Sequence, residues 1–275
     1  MNPLMENTGS YVSDGHVRGL AGEIERLHEQ AELTWEAERR HLQSLGLCDG
    51  QRLLELGCGP GSFTRLLADW LPNSSIVGLD CDARMLTQAR LRLAGHTERI
   101  SFVHDSAEET KLPDGSFDVV IARYVMQHAP DPQAVAQEAR RLLRPGGLLV
   151  VIDADGALWG VAEPVFPEFR TLHSVRGKAQ AERGGNWFIG RRLGRILRQT
   201  GFARVGLDVF AVDSDDVGLA ATDVHLNPDQ LLPLVADGHI SLEDFVRAKF
   251  LHQRFLDSTD AFVLMIGFIA WGRKP

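Results

Sequence analysis

The glycine-rich stretch 55–61, Glu-Leu-Gly-Cys-Gly-Pro-Gly, carries the residues best suited to chemistry in this sequence. It follows the apolar run 53–56 and precedes an amphipathic segment that opens at Ser62, which predicts a buried strand, a tight turn and a helix. Glycine permits positive φ angles and lets a ligand approach the backbone where a Cβ atom would clash. The free N–H groups at the start of the helix suit a polar or anionic ligand.

Acidic residues end the next two predicted strands, Asp80 after 75–79 and Asp105 after 100–104. Since ligands of open α/β sheets bind beyond the carboxyl ends of the strands, we expect these acids to share one site with Glu55. Asp80 follows Gly61 by 19 residues, about the interval at which an acid binds ribose hydroxyls in nucleotide folds. The carboxylate of Asp105 can accept a hydrogen bond from the amine of an adenine.

Two kinds of nucleotide cofactor use such a turn. The dinucleotide fingerprint G-x-G-x-x-G would place its third glycine at Ser62. The form E-x-G-x-G-x-G, which starts at Glu55, resembles the first motif of class I S-adenosylmethionine-dependent methyltransferases. S-adenosylmethionine carries a cationic sulfonium and an ammonium group, so a carboxylate at Glu55 favours this cofactor over a pyrophosphate.

Two further stretches strengthen this resemblance. Residues 112–120, Leu-Pro-Asp-Gly-Ser-Phe-Asp-Val-Val, resemble the run before the fourth strand in the ubiquinone/menaquinone-biosynthesis-like branch, and 143–147, Leu-Arg-Pro-Gly-Gly, match its turn before the fifth. The resemblance covers residues 50 to 152. It implies methyl transfer from S-adenosylmethionine to O, N or C of an acceptor, with S-adenosylhomocysteine as product, and it is silent about the acceptor itself. The lack of a basic docking surface, with aromatic residues such as Trp159 and Trp187 in the accessory segments, favours a small organic metabolite of secondary-metabolite or quinone type. A non-methylating binding protein, a cyclase, or an RNA or protein methyltransferase on the same fold remains an alternative.

The resemblance also implies which residues hold the cofactor. Cys81 and Met85 are expected to pack against its adenine and ribose. The predicted cofactor-binding residues are Glu55, Gly57, Cys58, Gly59, Gly61, Asp80, Cys81, Met85, Asp105, Ser106, Ala107, Arg123 and Gln127.

His128, just after the fourth predicted strand, is the candidate catalytic residue. It is either a general base, needed only if the acceptor must lose a proton, or a structural histidine that orients the turn at Pro130. After the fifth strand, Asp153 and Asp155 are candidates for a base, a cation clamp or simple loop caps. The predicted acceptor-binding residues are Tyr11, His16, Asp153, Asp155 and Trp187.

Apolar runs alternate with helical patterns along the chain, which predicts strands at 53–56, 75–80, 100–105, 117–122, 148–152, 203–212 and 261–271. The predicted fold is α/β: a Rossmann-like, seven-stranded, mostly parallel, doubly wound sheet with an antiparallel final strand, plus helical lid insertions. The antiparallel direction of the final strand is implied by the resemblance.

The predicted organisation is an N-terminal arm and helix at 1–46, acting as a lid, and a methyltransferase domain at 47–275 with helical insertions at about 155–200 and 213–260. In the long helix, an apolar stripe that includes Leu20, Leu27 and Trp35 is expected to pack against the sheet. Residues 1–16 are either a lid or a disordered terminus, and such an arm can also pair with a neighbouring subunit to form a homo-oligomer.

The net charge of −8 over 275 residues argues against a nucleic-acid or anionic-membrane partner. The arginines of 191–198 are then more typical of a solvated helix face than of an RNA site. Three cysteines without a C-x-x-C pair predict neither a disulfide framework nor a zinc site and favour the cytoplasm. No apolar run reaches membrane-spanning length, and no metal-ligand spacing is evident, so metal-free catalysis on a small-molecule acceptor is expected.

Overall fold

The computed structural model describes residues 9–11, 13, 18–165 and 167–275, with only the backbone of 167–173. The predicted acceptor residue His16 lies outside this part of the chain. The strands are β1 (Arg52–Leu56), β2 (Ser75–Asp80), β3 (Ile100–His104), β4 (Phe117–Arg123), β5 (Leu143–Asp153), β6 (Gly160–Glu163), β7 (Ala203–Asp213) and β8 (Phe262–Arg273). The helices are α1 (Gly19–Ser44), α2 (Ser62–Trp70), α3 (Ala83–Arg92), α4 (Pro132–Leu142), α5 (Pro167–Glu182), α6 (Leu193–Gln199), α7 (Ser214–Val217), α8 (Leu219–Leu226), α9 (Leu232–Ala236) and α10 (Leu242–Leu256).

Five strands form the parallel half of one sheet, in the order β3–β2–β1–β4–β5. The central ones are almost continuously buried, because helices cover both faces of the sheet. The chain runs outward from β1 to β3 and then returns to the other side of β1 at β4. The carboxyl ends of β1 and β4 therefore border the crevice in which such sheets bind ligands.

β8 completes the sheet in the antiparallel direction. It pairs with β5 over 268–273 and, on its other side, with β7 over 264–273. The final strand thus lies antiparallel between the fifth and sixth predicted strands, as the resemblance implied. The described residues contain one strand more than the seven predicted, since β6 pairs with 262–265 of β8 on the side of β5. Four residues are too few to show a strand period in the sequence.

Successive residues of the central strands lie on opposite faces of the sheet, and both are buried. Leu53 and Leu54 are both almost completely buried, yet they belong to two different apolar clusters, one on each face of the sheet. Burying one such side chain contributes roughly 1.5–3 kcal/mol. The turn that follows β1 is consequently held by strands that are fixed on both faces.

Helix α1 buries a face that the sequence analysis did not select. The predicted apolar stripe is only half-buried at Leu20, Leu27 and Trp35. Glu23 is 6% exposed and Glu38 fully buried. Besides the predicted apolar stripe, α1 therefore has a polar face that lies along the crevice. Apolar packing is retained where Trp35 meets the rings of Phe63 and Trp70.

The helices inserted after β5 have an apolar cluster of their own. Ala179 of α5, Leu234 of α9 and Phe245 of α10 belong to this cluster, which is separate from the two sheet clusters. It holds the accessory helices together over the carboxyl-terminal edge of the sheet. Within the described part of the chain, no helix is both long enough and apolar enough to cross a membrane.

Candidate functional site

A cavity of about 1050 Å³ opens at the carboxyl ends of β1, β2 and β4. The glycine turn and the start of α3 form one end, and α1 forms a side. The opposite end is formed by residues of α5, α9, β7 and β8. The cavity therefore runs from the turn that suits a nucleotide to the accessory helices.

The glycine turn is shaped for a close ligand. Gly57, Gly59 and Gly61 have φ angles of +66°, +53° and +75°, in the region that favours glycine. A Cβ atom on Gly57 would lie 2.4 Å from a methyl carbon of Val125. On Gly59 it would find nothing closer than Leu27, at 3.9 Å. Gly57 is thus required for packing, whereas the space beside Gly59 belongs to the cavity.

Two buried carboxyl groups flank this turn. Glu55 is 2% exposed and accepts a hydrogen bond of 2.5 Å from the hydroxyl of Thr64. Its burial raises the pKa of the carboxyl group to about 8. Asp80 accepts from the backbone N–H of Gly59 at 2.7 Å and of Asp82 at 2.8 Å. Asp80 therefore fixes the turn against α3 as well as lining the cavity.

The polar face of α1 supplies residues that the sequence analysis missed. Arg26 donates to both carboxylate oxygens of Glu23, at 2.8 and 2.6 Å, and Tyr11 donates to the same carboxylate at 2.6 Å. One of the oxygens of Glu38 accepts at 2.9 Å from Arg123, which is buried at the end of β4. The residues 23, 26, 30, 34 and 38 recur at helical spacing, so the signal was present in the sequence.

His128 lies where the N-terminal arm crosses the cavity. Its Nδ1 is 3.0 Å from the hydroxyl of Ser10, and its carbonyl oxygen accepts from the backbone N–H of Ser10 at 3.0 Å. The ring of Tyr11 meets the imidazole edge to face at 5.3 Å. Burial, with the nearby charges of Arg26 and Arg176, lowers the pKa of His128 to about 4. The imidazole is therefore neutral near neutral pH and binds a proton more weakly than an ordinary histidine.

The far end of the cavity mixes aromatic and aliphatic side chains with guanidinium groups. Trp159, Phe210 and Met265 line it. The guanidinium of Arg176 lies over the indole of Trp187, 5.0 Å from the ring centroid. Burial lowers the pKa of Arg176 to about 10, at which the side chain still carries its charge at neutral pH. This end suits an organic ligand with a flat or apolar part.

The cavity brings together most of the predicted site residues but not all. The predicted residues that line it are Tyr11, Glu55, Gly57, Cys58, Gly59, Asp80, Cys81, Met85, Ser106, Ala107, Arg123, Gln127, His128 and Trp187. Four others are absent from its described lining: Gly61, Asp105, Asp153 and Asp155.

Each of these four has a visible local contact. Gly61 is the residue before α2, and its N–H donates to the carbonyl of Cys58 at 3.0 Å. Asp105 accepts from the backbone N–H of Ser106 and of Lys111, both at 3.0 Å. Asp153 is fully buried and accepts from the N–H of Gln127 at 3.1 Å. Asp155, also fully buried, is paired with Arg191. The contact of Asp153 is of the kind made by a loop cap, whereas Asp155 forms an ion pair; an acceptor-binding role for either residue stays a prediction.

Two buried oxygen atoms on the cavity wall have no hydrogen-bond partner among the described residues: Oε1 of Gln127 and Oγ of Ser62. Buried polar atoms are rarely left in this state, so they point to a polar ligand beside them. In the described part of the chain, no three side chains of His, Cys, Asp or Glu are grouped as metal ligands would be.

Comparisons with known proteins agree with this site. Residues 54–151, from β1 to near the end of β5, match the methyltransferase-domain family. The trans-aconitate 2-methyltransferase of Methylobacterium radiotolerans is 32% identical over 207 residues, which are 75% of this chain and 70% of that protein. The chain belongs to the class I S-adenosylmethionine-dependent methyltransferases.

Other relatives of this methyltransferase are matched over less of their length. The demethylmenaquinone methyltransferase of Staphylococcus aureus is 27% identical over 138 residues, 50% of this chain and 54% of that protein. The chain thus spans about half the length of that relative. The phosphoethanolamine N-methyltransferase 2 of Haemonchus contortus, solved with S-adenosyl-L-methionine, has a TM-score of 0.58 and 19% identity, over 88% of this chain and 53% of that one. This likeness shows a common fold.

The family to which the chain belongs uses S-adenosylmethionine, and the residues at the glycine-turn end of the cavity fit that group. The space beside Gly59 leaves room for a ligand against the backbone. Glu55 would offer a carboxyl group to a cationic part of the cofactor, and the unpartnered oxygens of Gln127 and Ser62 would offer further acceptors. The resemblance to the E-x-G-x-G-x-G motif is therefore matched by the chemistry of the cavity.

Proposed function

We propose that the methyltransferase transfers a methyl group to an O, N or C atom of a small organic acceptor. The observation that supports this most directly is the single cavity that joins the glycine turn to the aromatic end. Its volume is about 1050 Å³, near the upper limit of small-ligand pockets at roughly 300–1,000 Å³. That volume suits a cofactor and a small metabolite side by side, and a walled cavity suits a small acceptor better than a polymer.

The cavity residues position the acceptor rather than activate it by metal or covalent chemistry. S-adenosylmethionine supplies an electrophilic methyl group and leaves as S-adenosylhomocysteine. Alignment of the acceptor with that methyl group supplies most of the rate enhancement, because the protein itself forms no covalent bond in the reaction. Trp187 and Trp159 limit the positions that a flat acceptor can take. His128, neutral and beside the arm, receives a proton if the acceptor must lose one.

In this proposal the N-terminal segment and the helical insertions have different roles. Residues 1–46 form a lid and a cavity side, and the insertions at about 155–200 and 213–260 form the acceptor end. The separate apolar cluster of α5, α9 and α10 supports this division. We place the protein in the cytoplasm, supported by three cysteines that are all free.

The test is mass spectrometry of the purified protein incubated with S-adenosylmethionine and a panel of small acceptors. We expect one acceptor to gain the mass of a single methyl group while S-adenosylhomocysteine accumulates in equal amount. A panel that includes the protein's own small-molecule extract and yields no methylated product would contradict the proposal. Methylation of added RNA or protein in the same assay would show that the acceptor is a macromolecule rather than a small metabolite.

A pair of glycine variants tests the cofactor end of the cavity. Gly59→Val places branches in the cavity beside the turn, so binding of S-adenosylhomocysteine should fall at least about a hundredfold by calorimetry. Gly50→Val is the matched control, since Gly50 also has a positive φ, +84°, and nothing lies within 4 Å of its Cβ position. Equal loss of binding in both variants would mean that backbone strain, rather than the cofactor space, is responsible.

A further inference from the structure

Five arginines line the described part of the cavity, and four of them face a carboxylate. Arg26 is paired with Glu23, Arg84 with Asp82, Arg123 with Glu38 and Arg183 with Asp237. Arg176 is the fifth. Among the described residues, its guanidinium forms no ion pair and no hydrogen bond, and it lies over the ring of Trp187.

A guanidinium in this position is costly to the folded protein. Its burial opposes the charged form, and Arg26 adds a second positive charge that outweighs Glu23 in its effect on Arg176. Arg176 is half-buried on the cavity wall, and charged groups that are partly withdrawn from water are normally paired. The surroundings of Arg176 therefore carry one positive charge in excess, on the wall of a ligand cavity.

The position of Arg176 separates it from the cofactor end. It belongs to α5, and its aromatic partner Trp187 lies against the backbone of Gly156, just after β5. The glycine turn, Glu55 and Asp80 line the opposite end. On the side of the turn, Arg26 and Gln30 of α1 line the cavity.

We propose that the acceptor carries an oxyanion, a carboxylate or a phosphate, and that Arg176 binds it. This inference rests on the proposed function and names the chemical class of its acceptor. The planar guanidinium fork matches either group with two parallel hydrogen bonds, and Trp187 supports it by a cation–π contact. The oxyanion also neutralises the charge that now depresses proton binding by His128. Arg176 is accordingly a specificity-determining residue.

The experiment titrates the methyltransferase, saturated with S-adenosylhomocysteine, with citrate, with inorganic phosphate and with neutral triethyl citrate. We expect one or both anions to bind and the neutral ester not to bind. Arg176→Gln should weaken anion binding by about tenfold to a hundredfold, the range for a lost charge-assisted pair. The same variant should bind S-adenosylhomocysteine within about twofold of wild type. Binding of citrate but not of phosphate, or the reverse, identifies which oxyanion the site prefers.

Arg183→Gln is the matched control, because Arg183 lines the same cavity but is already paired with Asp237. It removes the same formal charge and should leave anion binding unchanged. Arg176→Lys checks folding, and its thermal unfolding should match wild type. The proposal is overturned if neither anion binds, if both glutamine variants lose binding equally, or if Arg176→Gln loses S-adenosylhomocysteine instead. Failure of wild type to bind S-adenosylhomocysteine contradicts the proposed function, not this inference alone.

Discussion

Burial controls the protonation of the side chains around the cavity, and it acts in opposite directions on acids and on histidine. Burial raises the pKa of Glu55 to about 8 and that of Asp153 to about 7. It lowers the pKa of His128 to about 4. In each case the neutral form is favoured, because the low-dielectric interior penalises charge. Near neutral pH the cavity wall thus presents Glu55 and His128 in their neutral forms.

Glu55 gives the first residue-scale prediction. Its pKa rises from an ordinary 4.5 to about 8 on folding, so the folded state binds its proton more tightly than the unfolded chain. The free energy of unfolding should therefore fall as pH rises through this window, by at most about 1.4 kcal/mol per pH unit for one proton. Glu55→Gln should remove that contribution.

Urea unfolding between about pH 5 and pH 8 measures this difference. Asp153 titrates in the same direction, so a smaller slope should persist in Glu55→Gln. Binding of the cationic cofactor should also release a proton from wild type near pH 7, seen by calorimetry in buffers of different ionisation enthalpy. Parallel pH profiles for wild type and Glu55→Gln would show that Glu55 is already ionised.

His128 gives the second residue-scale prediction. If it accepts a proton from the acceptor, His128→Ala should lower turnover about 10²–10⁴-fold while S-adenosylhomocysteine affinity changes little. Ser10→Ala removes the hydroxyl beside Nδ1 but leaves the backbone hydrogen bond to His128. Ser10→Ala should lower turnover less than about tenfold. A decrease of only a few-fold in His128→Ala, independent of pH, would instead assign His128 to holding the arm.

At the scale of elements, the N-terminal arm joins the two ends of the cavity. Ser10 contacts His128, and the hydroxyl of Ser13 donates to Asp82, the N-cap of α3, at 2.7 Å. Between them, Tyr11 bonds to Glu23 of α1. The described arm residues therefore cross the cavity and contact three separate elements, as a lid would.

The arm prediction can be tested by one substitution with a control. A Cβ atom on Gly9 would lie 2.2 Å from the carbonyl oxygen of His128, so Gly9→Ala should displace the arm. Gly19→Ala places a methyl group in open space at a similar positive φ angle. We expect Gly9→Ala to release S-adenosylhomocysteine faster and turn over more slowly, with little change in Tm, and Gly19→Ala to release it at the wild-type rate.

Deletion of residues 1–16 should give the same result as Gly9→Ala in stronger form. Stopped-flow displacement of bound S-adenosylhomocysteine measures the release rate. Full turnover in the truncated protein would mean that the arm is only a tail and that Tyr11 has no part in the site.

At the scale of the whole molecule, the sequence predicted the cofactor half better than the acceptor half. Asp80 and Gly59 could be placed because strand ends and glycine turns depend on local sequence and on one rule of sheet topology. Arg176 could not, since its importance comes from the absence of a carboxylate partner in space. The polar face of α1 was overlooked because its spacing suits solvent as well as it suits a cavity. β6 was too short to detect.

The antiparallel strand β8 determines how the acceptor half of the molecule is attached to the cofactor half. Residues 54–151 match the shared domain family, whereas β6 and β7 are both attached to the sheet through β8. The chain between β5 and β8 is therefore bounded on both sides by one pairing register, 148–153 against 268–273. The acceptor end of the cavity depends on this register, because a slip of one residue in β8 would turn every side chain of that strand to the opposite face.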